Sequence, residues 1–466
     1  MTRTPTPPDG GWPAVVTRAD ELRDKLGTGV HDRIAASLYT RAEEIAGASI
    51  HVTGKGHIDW DLLADKILTS RWAGFPTMLL LLAGVLWMTI TGANVPSQWL
   101  ATGLFWVHDQ LAAGMNAVGA PWWLTGFLVH GVFRGLAWVI SVMLPPMAIF
   151  FPIFTLLEDV GYLPRIAFNL DRLYRWAGAH GKQSLTMAMG FGCNAAGVTA
   201  CRIIESPRER LLAIVTNNFV LCNGRWPTVI LIATVFVAPL APPAWRSVLA
   251  TACVAGVCLL GVIVTFLACR ALSGTVLRGE ASHFYLELPP YRRPAILRVI
   301  HRSIMDRTIF VLARACVTAA PAGGVIWLLG NVHVGGASIM AHLTGWLDPV
   351  AWWFGLDGVL LLAFFIALPA NEIVLPTIIM AYLAGGQMTE LDAAEAGALF
   401  REHGWTLLTA FCMMLFSLLH FPCATATWTI YRETRSVKWT LWSNLMPLAL
   451  ALVVCAAVAA GWRLFA

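Results

Sequence analysis

Two polar interruptions in otherwise apolar sequence hold residues able to do chemistry. The first is Gly190-Phe191-Gly192-Cys193-Asn194, and Leu221-Cys222-Asn223-Gly224-Arg225 follows shortly after. Two more lie in the second half of the chain, Leu368-Pro369-Ala370-Asn371-Glu372 and Phe421-Pro422-Cys423. Inside a bilayer an unpaired N–H or C=O has no water to bond, so irregular backbone is tolerated only where it lines a cavity or is buried in protein. Discontinuous membrane helices usually line a substrate or ion site. Thiols, carboxamides and carboxylates gathered at such breaks therefore point to binding of a small species within the membrane. The ordinary alternative, a kinked helix with cysteines acting as small hydrophobes, fits poorly when Cys, Asn and Gly cluster twice.

The elements that must position these groups are those of an integral membrane protein. Of 466 residues, 57% are hydrophobic and 13% charged, against about 25% charged in soluble domains, and the mean hydropathy is +0.66. The 21 tryptophans suit interfacial belts, as at Trp122, Trp123, Trp352 and Trp353. A formal charge of +5 is explained by arginines flanking spans and calls for no nucleic acid. The ten cysteines include no CxxC and read as reduced thiols rather than disulfides. The N-terminal stretch lacks the early apolar core of a secretory signal. No H-E-x-x-H or G-x-S-x-G signature is present, so the chain is not expected to be an enzyme.

Read along its length, the chain divides into four parts. Residues 1–70 form a short cytoplasmic helical segment, Pro- and Thr-rich over 1–10, with Leu22, Leu26, Ile34, Leu38 and Ile45 on one apolar face. Residues 71–271 form a first membrane repeat, 272–307 a basic amphipathic cytoplasmic linker, and 308–466 a second repeat. The spacing predicts a span over 73–92, an interfacial helix over 97–119, and a segment over 122–160 broken at Leu144-Pro145-Pro146. The basic segments at 1–71 and 270–307 place the N-terminus in the cytoplasm of a plasma (inner) membrane protein. Each half offers a plain span, an outer amphipathic piece and two broken segments. The expected fold is an all-α polytopic membrane protein with eight to ten membrane segments and broken or re-entrant helices in a two-fold gate-like repeat.

At these motifs the chain resembles the membrane part of ferrous iron transport protein B. The resemblance runs through Leu144-Pro145-Pro146, Glu158-Asp159-Val160-Gly161-Tyr162 with Arg165 and Asp171-Arg172-Leu173, Gly190 to Asn194, Glu287-Leu288-Pro289-Pro290-Tyr291-Arg292, Leu368 to Glu372, and Pro422-Cys423 through Arg432-Glu433-Thr434. It implies passage of Fe(II), or a related divalent transition metal, into the cytoplasm, with the ion as cargo. The family normally begins with a GTP-binding domain. Here Thr53-Gly54-Lys55-Gly56 lacks the spacing and hydroxyl of a phosphate-binding loop. The expectation is a chain without its own nucleotide site, partnered in trans by a separate small GTPase or a small cytoplasmic accessory protein. A homo-oligomer is compatible with this reading. A second departure is Asn371, where the family has Lys.

Fe(II) accepts thiolate, imidazole and carboxylate ligands, and a transported ion needs exchangeable sites rather than a closed cage. The candidate metal-lining residues are Cys193, Cys423 and Cys222, with Glu372, Asn194, Asn371 and Glu158. Each has a structural alternative: the cysteines as core residues, Glu158 paired with Arg165, Glu372 capping a half-helix. Arg225 is expected to tie down freed carbonyls. His130 reads as a core histidine sharing a face with Arg134, His420 as an entry ligand or an interfacial residue, and Cys412-Met413-Met414 as core or lipid-facing. His333 and His342 fall in an outer loop. The competing functions are secondary transport of a small organic solute such as a nucleoside, held by Asn194, Asn223 and Asn371, and a non-transporting scaffold that docks a soluble partner.

Overall fold

A computed structural model describes the chain except residues 1–10, 27–29, 50–59, 71, 280–290, 293, 390 and 466. The Pro/Thr-rich start, Thr53-Gly54-Lys55-Gly56 and Glu287-Leu288-Pro289-Pro290 fall outside the described residues. Two compact units emerge, Met1–Leu63 with His283–Tyr285, and Ala64–Ser282 with Leu286–Ala466. The first holds the helices Gly11–Leu26 and Val30–Ser49. Leu22, Ile34, Leu38 and Ile45 stand exposed on them.

Among its described residues the second unit is all-α apart from a short hairpin pairing His333–Val334 with Ala337–Ser338. Among those residues six helical segments are long and apolar enough to cross a bilayer: Gly74–Ala117, Trp122–Asp159, Pro243–Gly274, Ile296–Asn331, Leu407–Thr434 and Val437–Leu464. A seventh span results if Ile339–Phe354 and Gly358–Ile366, which meet at 104°, count as one. This is fewer than the eight to ten expected. The excess came from pieces beside the breaks, such as Trp226–Leu240 and Asn371–Tyr382, which fall short of the ~20 residues a crossing requires. Protein buries 56% and 67% of the most apolar stretch of Trp122–Asp159 and Leu407–Thr434, but only 22%, 17% and 22% of Gly74–Ala117, Pro243–Gly274 and Val437–Leu464. The first two are thus central and the last three peripheral.

Two sequence expectations are corrected. The segments 73–92 and 97–119 are one 44-residue helix, Gly74–Ala117, with Pro96 inside it; at 1.5 Å per residue it is about 66 Å long, well beyond a hydrocarbon core of about 30 Å. Nor does Pro145-Pro146 break the next segment. The helix continues from Trp122 to Asp159 through Pro145, Pro146 and Pro152, all buried. Proline removes one backbone bond and crowds the preceding turn, yet the helix runs through all three.

The chain does unwind at the four polar motifs. Helix Gln183–Gly192 ends at an extended Cys193 (φ −156°, ψ 124°) before Asn194–Ala200 begins. Ala370 has nearly the same geometry (φ −152°, ψ 120°) between Gly358–Ile366 and the turn opening at Asn371. Helix Pro207–Thr216 gives way to irregular chain up to Trp226, and Leu407–Leu419 gives way at His420 to extended chain reaching Cys423.

Two contacts fix the frame. Gly131 and Gly135, one turn apart, press against Gly323 and Gly324. A Cβ on Gly135 would lie 3.0 Å from the Gly323 Cα, and one on Gly323 would strike the Gly131 carbonyl. Small residues let membrane helices approach backbone to backbone, and Gly323→Val is expected to lower the yield of monodisperse protein in detergent, measured by size-exclusion chromatography. The second contact is a clasp at Arg165. Its guanidinium, 2% exposed, donates to Asp65 Oδ1 (2.9 Å), Asp65 Oδ2 (3.3 Å) and the Gly161 carbonyl (2.6 Å). The Tyr291 hydroxyl donates to the same Asp65 (2.8 Å), and its ring lies under the Arg165 cation. Arg165 therefore pairs with Asp65 and not with Glu158, because the Trp60–Leu68 helix reaches it first. The bonds from Arg165 hold the Asp65 carboxyl below its usual pKa. A depressed carboxylate stabilises the fold above its unfolded pKa and loses that contribution as pH falls through the folded value. Asp65→Asn should lower the melting temperature at neutral pH, with the difference from wild type vanishing as pH drops below about 4.

Candidate functional site

All but one of the predicted site residues meet in one small cavity. Cys193, Asn194, Cys222, Asn371, Glu372 and Cys423 line a space of about 30 Å³ together with Asn223 and Gly224. The three thiols lie within electrostatic range of one another or of a shared neighbour, and each is within range of Glu372. A Cβ at Gly224 would overlap the Glu372 carboxylate, so glycine there lets the carboxylate reach the broken segment. The convergence follows from the breaks: each motif residue lies at or beside a helix end, and four helix ends meet.

Arg225 holds those ends together. Its side chain is 1% exposed. Nη1 donates to the carbonyls of Asn218 and Leu418 (3.0 Å each), and Nη2 to the Phe421 carbonyl (3.0 Å), Asn218 Oδ1 (3.1 Å) and the His420 carbonyl (3.3 Å). These are the groups freed where the 207–216 and 407–419 helices stop. Asn218 adds a bond to the His420 carbonyl (2.7 Å) and accepts one from Asn194 (3.4 Å). Asn217 donates to the Asn194 carbonyl (3.1 Å), and the Asn223 N–H donates to Gly192 across the two first-half breaks (3.3 Å).

His420 is neither interfacial nor exposed; it is 1% accessible. Its Nδ1 lies 3.0 Å from the carbonyls of both Phe416 and Ser417 and so carries the proton. Among the described residues Nε2 is left as an acceptor without a donor, 3.4 Å from the Asn371 carboxamide oxygen, while the Asn371 nitrogen donates to Cys222 Sγ (3.9 Å). A carbonyl-anchored imidazole with its second nitrogen free is the usual preparation of a metal-binding histidine.

Glu158 is not part of this cavity. It is half exposed and pairs with Arg307 (3.3 Å) in a separate space. The remaining sequence candidates also lie elsewhere. Cys412, Met413 and Met414 are core residues. His130 meets His108 (3.0 Å), which bonds Asp109. His333 and His342 contact backbone carbonyls of Asn331 and Val334. Sequence reasoning missed Met143 and Met147, which present two thioethers to the cavity; their four-residue spacing on one helix face was the available signal. It also missed Asn217 and Asn218, whose paired carboxamides within an apolar run were the same kind of signal as the motifs themselves.

Two larger spaces adjoin its lining. One, of about 840 Å³, is lined by Asn94, Ser97, Gln98 and Thr228 and shares Asn223, Gly224 and Glu372 with it. The other, of about 490 Å³, shares no residue with it but is lined by Ala195 and Arg314, the chain neighbours of Asn194 and Ala315, and by Thr429, one turn from Thr425. Among the described residues no three His, Cys, Asp or Glu side chains converge tightly enough to chelate an ion. The arrangement offers soft and oxygen donors singly around a constriction.

Known proteins share this plan. The family model described as nucleoside recognition, the gate module, matches residues 140–236 and 312–437. The model for the C terminus of ferrous iron transport protein B matches 254–306. The Fe(2+) transporter FeoB of Staphylococcus aureus (strain MSSA476) is 30% identical over 404 residues, covering 84% of this chain and 57% of that protein. A fusion of Fe(2+) transport protein A with FeoB from Porphyromonas gingivalis is 27% identical over 474 residues, 91% of this chain and 54% of that one. FeoB of Campylobacter jejuni is 24% identical over 404 residues, 84% and 63%. The chain spans little more than half the length of these relatives. No solved structure matches it. With the gate module, the C-terminal module and this similarity over most of its length, the chain is homologous to ferrous iron transport protein B, matching its C-terminal part.

Proposed function

We propose that the chain carries Fe(II), or a related divalent transition metal, across the membrane through the thiol-lined constriction. Cys193, Cys222, Cys423 and Glu372 serve as transient ligands, with Asn194 and Asn371 as oxygen donors, and Glu158 lies outside the constriction. The observation that supports this reading is the meeting of six sequence-selected residues, from four separate breaks, in one cavity. A cavity of about 30 Å³ exceeds the ~10–15 Å³ needed to hold one water, and its small size favours an ion over an organic solute. Donors that do not form a closed cage suit an ion that must leave again, and thiol, thioether and imidazole groups favour transition metals over Mg²⁺ or Ca²⁺.

In this reading the halves 71–271 and 308–466 are the two members of a gate-like repeat. The matching dihedrals at Cys193 and Ala370, each followed by an Asn, support it. The basic segments 1–71 and 270–307 face the cytoplasm of the inner membrane, and transport runs inward. A GTPase acting in trans fits the same scheme.

The test is Fe(II) influx into proteoliposomes holding the purified chain, compared with Mn(II) and Zn(II). Cys193→Ser should reduce influx roughly tenfold or more while leaving the melting temperature within a few degrees of wild type. Unchanged influx in that variant would remove the thiols from the path. Arg225→Met should act differently, because removing a buried cation strands its acceptors. A loss of about 3–5 kcal/mol is expected, seen as aggregation or a collapsed melting temperature, while Arg225→Lys retains part of the stability.

A further inference from the structure

The 490 Å³ space beside the constriction has a charge pattern that a cation path does not explain. Four guanidinium groups line it, Arg202, Arg307, Arg314 and Arg432, with two carboxylates, Glu158 and Glu433. The carboxylates are already engaged. Glu433 takes two bonds from Arg202 (2.6 and 2.8 Å), and Glu158 pairs with Arg307. Arg314 rests on the face of the Phe310 ring and donates to the Thr429 hydroxyl (3.2 Å). Among the described residues neither Arg314 nor Arg432 forms an ion pair, and Arg314 lies within electrostatic range of Arg432, of Arg202 and of the already engaged Glu433. Four cations against two carboxylates leave the cavity lining with an excess of positive charge.

We propose that this cavity is a binding site for a phosphate-bearing anion. Guanidinium forks match phosphate oxygens in shape and charge. The phosphate comes either from a free anion or from a lipid headgroup, since exposed Ile203 and Phe310 border the cavity with apolar surface. Bound there, the anion neutralises positive charge that otherwise opposes passage of a cation from the thiol cavity. The binding claim itself stands apart from the transport reading and is tested without metal.

The experiment uses the full chain in nanodiscs of neutral phosphatidylcholine, titrated with inorganic pyrophosphate by calorimetry. A parallel arm uses nanodiscs containing phosphatidylglycerol, with the melting temperature as readout. Saturable pyrophosphate binding that falls with added salt, and is about tenfold weaker in Arg314→Gln and Arg432→Gln, supports the free-anion source. A rise in melting temperature with phosphatidylglycerol that is absent in those variants supports the lipid source. Arg278→Gln, at an exposed residue bonded only to its own helix, should match wild type in both arms. Should Arg314→Gln fail to fold, the exposed Arg432 carries the comparison. Absence of any response in both arms, or equal responses in wild type and Arg432→Gln, overturns the proposal.

Discussion

The structure turns on a charged group buried inside a membrane protein, the guanidinium of Arg225. Two broken segments end beside it, one from each half of the chain, and their last carbonyls have no helical partners. Arg225 satisfies four of them and a carboxamide oxygen as well. Its Nε has no partner among the described residues, so the planar fork does this work with two nitrogens. Lysine offers three donors from one point and would not span the same acceptors. The positive charge is also within range of Glu372 and of Cys222, so one group both closes the backbone breaks and provides a counter-charge for the carboxylate lining the cavity.

Around that anchor the donors are arranged loosely. The thiols sit on separate breaks, Asn371 links Cys222 to His420, and Met143 and Met147 face them from an unbroken helix. A tetrahedral cage would hold a transition metal too firmly to pass it on. Donors carried by different elements change partners when those elements shift, and the extended residues at Cys193 and Ala370 are places where such a shift needs few dihedral changes.

Much of this was legible because lipid makes irregular backbone costly. Glycine, proline, Cys and Asn clustered in apolar sequence mark breaks, and all four motifs are breaks. The assignment of Arg225 to carbonyls followed from charge alone, since a guanidinium repels a cation. Glu158 was misread because an apolar neighbourhood in sequence does not establish depth in the membrane; it lies at the end of its helix, half exposed, where Arg307 reaches it. The crossings were overcounted because hydropathy registers half-helices as spans. Proline at 145 and 146 was overweighted because its cost can be absorbed when neighbouring helices hold the axis.

Composition and the spacing of polar breaks determined, from sequence alone, that this is a helical membrane protein and which side chains line its interior. They did so because burial of unpaired polar groups in lipid is too costly to occur by accident. Only the tertiary structure decided that breaks up to 230 residues apart (Cys193 and Cys423) meet in one cavity, that the His420 ring packs behind it against Asn371, and that Arg202, Arg314 and Arg432 surround a single space. Those facts depend on how helix ends pack across the two halves, and packing distance is not encoded in separation along the chain.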